Sequence, residues 1–297
     1  MISGFSIIRN GDKLGYPYLE ALQSLAPLCD ELIVACGDST DQTREHLVQL
    51  KDKIDCALII IDSPWDDSNT KGGSELARQS NIALEHCKND ICFYIQADEH
   101  IPERDYPLIR DDLKKFAQDP DVEALLFQWT HFYGNFQTFV ESKKWYRREV
   151  RAFKKSSELK SYGDAQGFRI PLSGGTWQKP RAALSRGRIF HYGWVRPPET
   201  MAEKSEALDR FWHGNNRDGT HSATNVYPPL LGMKKFHETP PSLMKRRIEA
   251  LGDFNPFPEK PSFPLLKKIR HILLSWLERK TDWRPGEFKN YKLIKRY

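Results

Sequence analysis

The stretch "CFYIQADEHIP", residues 92–102, runs a strand-like segment directly into a polar one. Cys92, Phe93, Tyr94 and Ile95 suit a buried strand. Gln96, Asp98, Glu99 and His100 come immediately after. A carboxylate at the carboxyl end of a buried strand is held rigidly at the open edge of a sheet, where open α/β sheets bind their ligands. Hard divalent cations take oxygen ligands of this kind, usually with waters or phosphate oxygens beside them. A plain turn, with acids facing water or capping a helix, would use the same residues, so the surroundings have to decide.

The surroundings alternate. "GFSIIRN", "ELIVACG", "CALIIID" and "ICFYIQAD" read as strands. Between them, "YPYLEALQSLAPLCD" has leucines at every third position, "DSTDQTREHLVQL" opens with Ser39 or Thr40 as a cap, and "GGSELARQSNIALEHC" reads as a glycine-started helix. "RDYPLIRDDLKKFAQD" is a further helix and "VEALLFQWTHFY" a further strand. Such alternation over about 130 residues predicts an α/β fold with a mostly parallel sheet flanked by helices. Its strands end in polar residues: Arg9 and Asn10, Asp38, Asp62, then Asp98.

Beyond residue 130 the rhythm changes. "KKWYRREVRAFKK" reads as a strand pair or a sheet edge, residues 156–200 as loops and short strands, and "PETMAEKSEALDRFWHGN" as a helix. Eight prolines from Pro228 to Pro264, Pro258 and Pro261 among them, punctuate the chain after that helix. Leu265, Leu266, Ile269, Ile272, Leu273 and Trp276 then form a helical stripe. The expected organisation is a catalytic domain over 1–200 and an irregular, helical, basic C-terminal extension over 201–297 packed on it.

With 297 residues, 29% charged and 39% hydrophobic, the composition is that of a soluble globular protein. No run approaches the ~18 apolar residues of a membrane span. The N-terminus lacks a secretory signal, which predicts a cytoplasmic protein. Five cysteines without a C-x-x-C pair predict reduced, buried thiols and no zinc site. Residues 260–297 carry eleven Lys or Arg against three acids, whereas the first 259 carry 34 against 37. The basicity therefore belongs to the tail and gives no support to a nucleic-acid partner. The tail has two readings: its stripe covers the first domain, or it holds the protein peripherally on the inner face of a membrane.

In order along the chain, several segments resemble those of family 2 glycosyltransferases of the GT-A fold. "SGFSIIRN" looks like the first strand of that family, "CGDSTDQT" like its second-strand turn, "ELARQSNIAL" like its donor-side helix, and "FYIQADE" stands where the family carries its metal-binding D-x-D. The resemblance covers about the first 100 residues. It implies transfer of a sugar from a nucleotide-diphosphate donor to the hydroxyl of a glycan or lipid-linked acceptor, with inversion, in polysaccharide or glycan biosynthesis. It implies nucleotide binding by Arg9, Asn10, Asp38, Arg78 and Asn81, and Mg²⁺ or Mn²⁺ on Asp98 with a late histidine, His191 in "IFHYGWVR". Gln96 stands at the first acid of D-x-D, where an amide binds ribose or base better than a cation. A base is needed for the acceptor hydroxyl. Asp164 in "SYGDAQGFR" is the candidate, with Glu141 and Glu149 as competitors. Arg196 leads the cations, with Arg148, Arg151, Arg169, Arg188 and Lys204, that would offset leaving-group charge. Of the aromatics from Trp129 to Tyr146, "HFYG" at 131–134 is the candidate acceptor contact. A sugar nucleotidyltransferase would open with a glycine- and lysine-rich phosphate loop that "RNGDKLGYP" lacks. A non-catalytic binder with the same fold stays open because of Gln96.

Overall fold

The computed structural model describes residues 1–143, 145–213, 226–252, 254–257 and 262–297. Lys144, Gly214, Asn215, Pro258 and Pro261, which fall within the sequence expectations, lie outside the described residues. The strands are β1 (Ile2–Ile8), β2 (Glu31–Cys36), β3 (Ala57–Asp62), β4 (Ile91–Tyr94), β5 (Glu99–His100), β6 (Ala124–Tyr133), β7 (Asn135–Val140), β8 (Arg148–Lys154), β9 (Lys160–Ser161), β10 (Phe168–Pro171), β11 (Trp177–Gln178), β12 (Arg181–Trp194), β13 (Met233–Lys235) and β14 (Lys292–Arg296). The helices are α1 (Tyr18–Leu25), α2 (Thr43–Leu50), α3 (Ser74–Glu85), α4 (Tyr106–Gln118), α5 (Pro198–His213), α6 (Lys245–Leu251) and α7 (Leu265–Thr281).

Eleven of these strands form one sheet, whose main path runs β13-β7-β6-β8-β4-β1-β2-β3. β1 pairs in parallel with β2 and β4, and β2 with β3. The period-2 alternation of the strands feeds two cores. Leu32, Val34 and Cys36 of β2 point to one face with Leu22 of α1, Leu47 of α2 and Ile109 of α4. Ile33 and Ala35 point to the other with Ala83 and Leu84 of α3. This is the α/β, mostly parallel, helix-flanked sheet that the alternation predicts.

Local departures have identifiable causes. Ser39 and Thr40 do not cap α2. Ser39 Oγ accepts the Asn10 N–H at 2.9 Å, and the Thr40 N–H donates to Asn10 Oδ1 at 2.8 Å, so these residues staple the β1 and β2 turns together. Gln42 is the N-cap residue and makes no side-chain capping bond, while Asp41, one residue before it, accepts the Thr43 N–H at 3.0 Å. β8 is no edge: it lies antiparallel between β4 and β6. Its arginines are tolerated inside because each is paired, and the buried Glu149 accepts hydrogen bonds from Gln166 and Asn290. Arg148 donates to Asp282 at 2.7 Å through two bonds, and Arg151, fully buried, meets the equally buried Glu99. Within the C-terminal segment, β14 pairs in parallel with β12 of the main sheet.

The turn from β4 to β5 resolves the puzzle of "IQADEH". The chain reverses after Gln96, whose carbonyl accepts the Glu99 N–H at 3.1 Å. β5 then pairs antiparallel with β12, placing Glu99 opposite His191 and His100 opposite Phe190. Glu99 turns into the core, where Arg151 donates to it at 2.9 and 2.8 Å and Trp129 Nε1 at 3.1 Å. Asp98 is left on the cavity side.

Glu99→Ala strands the Arg151 guanidinium without a counter-charge. Urea unfolding should show a loss of about 3–5 kcal/mol, most of it recovered when Arg151→Met accompanies Glu99→Leu.

Candidate active site

A cavity of about 810 Å³ opens at the carboxyl ends of β1 and β4. Arg9, Asn10, Gln96, Asp98, Asp164 and His191 all line it. Residues from positions 9 to 191 thus meet in one space, although Asp38 and Asp62, the polar tips of β2 and β3, do not line it.

The nucleotide-side end is an ion-paired aromatic wall. Arg9 pairs with Asp38 at 3.1 Å and with Asp67 at 2.5 Å. Its guanidinium lies 5.5 Å from the Trp65 ring centroid, and Trp65 in turn packs on Phe211 of α5 at 5.2 Å. Gly37 makes this approach possible: a Cβ there would lie 2.7 Å from Trp65 Nε1 and 2.9 Å from Arg9 Cβ. Asp38 itself stands one residue behind the lining, accepting the Trp65 N–H at 3.2 Å.

At the deep end a hydrogen-bond chain fixes the tautomers of two histidines. The Tyr146 carbonyl can only accept, so His131 Nε2, 2.7 Å away, carries the proton. Burial first, then the neighbouring His191, pushes the His131 pKa down to about 3, so the ring is neutral and its Nδ1 is an acceptor. His191 Nδ1 lies 3.1 Å from that acceptor and therefore donates. His191 Nε2 is left with a lone pair facing Asp98 Oδ1 at 3.8 Å. Burial also lowers the His191 pKa, overcoming the pull of Asp98. The Asp98 carboxyl is pushed up by burial but held well below the usual carboxylate range by the surrounding cations, Lys204 foremost. Two electron-pair donors thus face each other with no proton between them.

Two residues complete this end. Lys204 of α5 donates to Asp98 Oδ2 at 3.1 Å and to the Gly193 carbonyl at 2.7 Å. Its pKa is lowered to about 8 by burial and the Arg196 charge, against the pull of Asp98. Gly193 keeps the gap open: a Cβ there would lie 2.5 Å from His191 Nε2 and 2.8 Å from Asp98 Oδ2. A deprotonated carboxylate, a neutral imidazole oriented by an outer histidine, and a space that a single methyl would fill together suit a divalent cation whose remaining ligands are phosphate and water. Among the described residues no group of three His, Cys, Asp or Glu gathers, so the protein alone does not close a coordination shell.

Asp164 lines the cavity from the β9–β10 loop, and burial raises its pKa above the ordinary carboxylate value. That loop is tied to the Asp98 turn twice: Gln96 Nε2 donates to the Ala165 carbonyl at 3.3 Å, and Arg151 Nη1 to the Gln166 carbonyl at 2.9 Å. Across the cavity Trp145 stacks with Trp194 at 5.9 Å and 21°, beside Tyr146.

Several expected residues are engaged elsewhere. Arg78 donates to Glu75 at 2.6 and 2.8 Å and to the Pro64 carbonyl at 3.0 Å, bracing the Trp65 loop from outside the lining. Asn81 brackets the backbone of Ser161 at 2.9 and 2.8 Å. Asp62 pairs with Arg44 at 2.7 Å. Arg196, fully buried, donates to the Leu14 carbonyl at 2.8 Å and to Gly193, so it braces the site from behind while Lys204 presents its charge to the cavity. Arg169 donates to Asn290 at 3.0 Å, and Arg188 pairs with Asp105 at 3.0 Å. Glu149 is sealed against Asn290 at 3.1 Å and Gln166 at 2.9 Å, and Glu141 pairs with Lys234 at 2.5 Å. Of "HFYG", only His131 lines the cavity; Tyr133 donates into the core at the Pro228 carbonyl, 2.8 Å. Trp65, Asp67 and Tyr16 went unread. The signal for the first two was present, since they follow the third strand as Asp98 follows the fourth.

No protein-family model and no curated protein matches the chain. Among solved structures it is similar to the TarS 1-349 structure from S. aureus, with 15% identity over 76% of this chain and 68% of that one and a TM-score of 0.38. Of a longer TarS structure it covers 42%. It is also similar to glucosyl-3-phosphoglycerate synthase from Mycobacterium tuberculosis in complex with Mn²⁺, UDP and glucosyl-3-phosphoglycerate, at 19% identity over 45% of each chain and a TM-score of 0.30. The third is HddC from Yersinia pseudotuberculosis, at 10% identity over 71% of this chain and 100% of that one, TM-score 0.37.

The tautomer chain has a spectroscopic consequence. Long-range ¹H–¹⁵N spectra should show His191 protonated on Nδ1 alone and still neutral below its ordinary pKa of 6.5. His131→Phe should release that assignment.

Proposed function

We propose that the chain is a GT-A-fold glycosyltransferase that moves a sugar from a nucleotide-diphosphate donor to an acceptor hydroxyl. One observation carries this reading: a cavity at the strand tips joins an aromatic, ion-paired end to a carboxylate–imidazole–ammonium cluster, and is lined also by the Asp164 carboxylate, which pairs with no cation among the described residues and accepts the Gln166 N–H at 3.2 Å. Of the four segments that resemble family 2 glycosyltransferases, two line this cavity with polar residues, at Arg9 and Asn10 and at Gln96 and Asp98, whereas Asp38, Arg78 and Asn81 of the other two do not line it.

In this reading the nucleoside lies against Trp65, with Arg9, Asn10 and Asp67 to hydrogen-bond its base and ribose. Gln96 faces the ribose or the sugar. The diphosphate lies against Lys204. Asp98 and His191 would hold Mg²⁺ or Mn²⁺, which when bound offsets charge on the departing diphosphate. Asp164 takes the proton of the acceptor hydroxyl. The acceptor oxygen bonds to the anomeric carbon, and the bond from that carbon to the diphosphate breaks, its electron pair leaving with the phosphate. A single displacement of this kind inverts the anomeric centre. The raised pKa of Asp164 makes it a better base than an exposed carboxylate. Lys204 meets the developing phosphate charge in a water-poor site, where such charges act most strongly. Trp145 and Trp194 offer flat faces to the C–H groups of an acceptor sugar.

The test is release of nucleoside diphosphate from a panel of nucleotide sugars, with and without Mn²⁺. Asp98→Asn should lower turnover by about a hundredfold or more while circular dichroism stays unchanged. Asp164→Asn should cost about 10²–10⁴ in kcat. Donor binding without release under any acceptor would instead favour a non-catalytic binder. Mn²⁺ titrated in the presence of UDP and followed by electron paramagnetic resonance should lose its free signal with the parent protein and keep it with Gly193→Ala.

The pH dependence has a defined shape. Asp164 must be ionised, so kcat/KM falls on the acid side at a pH above the ordinary carboxylate value. Lys204 must be protonated, so kcat/KM also falls as pH rises through about 8. In Lys204→Met the alkaline limb should vanish and the plateau should drop.

A further inference from the structure

α7 turns its apolar stripe outward. Leu265, Ile269, Ile272 and Trp276 recur on one side at helical spacing, with Leu266 and Leu273 beside them, and their exposures are 70, 44, 62, 55, 80 and 60%. A helix that covers a core hides such a stripe. Here the opposite side faces the body, and ion pairs fasten it. Arg147 of the body pairs with Glu278 on that side at 3.4 Å and with Asp282 and Glu287, just beyond the helix, at 2.6 Å each. The sequence expectation that the stripe covers the catalytic domain is therefore corrected: the stripe itself is in water.

The charges flanking the stripe are of one sign. Lys267, Lys268, Arg270, Arg279 and Lys280 lie on α7 against the single acid Glu278, which is already paired. Trp283 and Phe288 extend the exposed apolar surface just beyond the helix, at 55 and 62%. Among the described residues no helix is long and apolar enough to cross a membrane.

We propose that α7 is an interfacial helix that docks the protein flat on an anionic lipid bilayer, its stripe in the acyl boundary and its lysines and arginines at the headgroups. An anionic bilayer supplies both the apolar depth and the negative charge for which this face finds no counterpart among the described residues. Long basic side chains flank the stripe and reach outward from it, as such helices require. A second copy of the same face would bring two strongly basic surfaces together and is disfavoured by their repulsion. Docking stands apart from the chemistry proposed above, but its consequence for the acceptor rests on that reading. Arg284, just beyond α7, donates to the Trp145 carbonyl at 2.9 Å and pairs with Glu278 of the helix at 2.7 Å, so the docked face is tied to the aromatic wall of the cavity. A lipid-linked acceptor would then arrive at the wall that the sugar faces.

The experiment is flotation of the full chain with vesicles of phosphatidylcholine alone and of phosphatidylcholine mixed with phosphatidylglycerol. The protein should float with the anionic vesicles and weakly or not at all with the neutral ones. Ile269→Asp with Leu273→Asp, both at exposed positions, should lower the bound fraction about tenfold or more with an unchanged circular dichroism spectrum. Lys268→Gln with Arg279→Gln should remove the preference for phosphatidylglycerol. Absence of flotation with anionic vesicles, or equal flotation of the aspartate variant, overturns the proposal. So does a dimer in sedimentation velocity that the aspartate variant dissociates, which would assign the face to a second copy. None of these readouts depends on sugar transfer.

Discussion

Arg151 holds the site together from beneath. It is fully buried, sandwiched between the rings of Tyr94 and Trp129 at 5.3 and 4.4 Å, and its two ends serve two loops. One end grips Glu99 and so fixes the turn that carries Asp98. The other donates to the Gln166 carbonyl and so fixes the loop that carries Asp164. A charge in a sheet interior is costly unless fully bonded. Here that constraint sets the distance between the carboxylate proposed to hold a cation and the carboxylate proposed to take a proton.

Electrostatically, the deep end of the cavity is prepared for an anion. Lys204 and Arg196 both lie close to one buried carboxylate, and the nearby histidines are neutral by burial and by their hydrogen-bond chain. Asp98 compensates only part of that positive charge. The depressed pKa of Lys204 expresses the same excess. A diphosphate entering this region would relieve it, with Lys204 moving between Asp98 and phosphate. Gly193 contributes by lacking a side chain, because its carbonyl anchors Lys204 while its missing Cβ leaves room between His191 and Asp98.

The fold was legible in the first 130 residues, where strand and helix periods alternate and polar residues close each strand. Gln96, Asp98 and Asp164 were legible because they break an apolar run or sit in a glycine loop. His191 was legible only through family resemblance, since its position comes from antiparallel pairing of β12 with the two-residue β5, which no local pattern announces. Arg78 and Arg196 stand outside the lining, and the sequence hides this for one reason: a charge is visible there without its partner, and both donate to internal groups, Arg196 with its Nη2 still unpartnered among the described residues. β8 looked like an edge because its arginines are counted as exposed until Glu99 and Asp282 are seen across from them. The stripe on α7 was legible as a stripe, but its direction depends on ion pairs from Arg147 and Arg284, and the first of these lies far away in sequence.

The central claim is that the strand tips form one nucleotide-sugar site. A crystal structure with a nucleotide-diphosphate sugar and Mn²⁺ tests it most directly. The account predicts the base against Trp65 and Arg9, the diphosphate between Lys204 and a cation held by Asp98 and His191, and the anomeric carbon facing Asp164. A donor bound elsewhere, or one whose diphosphate lies away from Asp98 and Lys204, would contradict it.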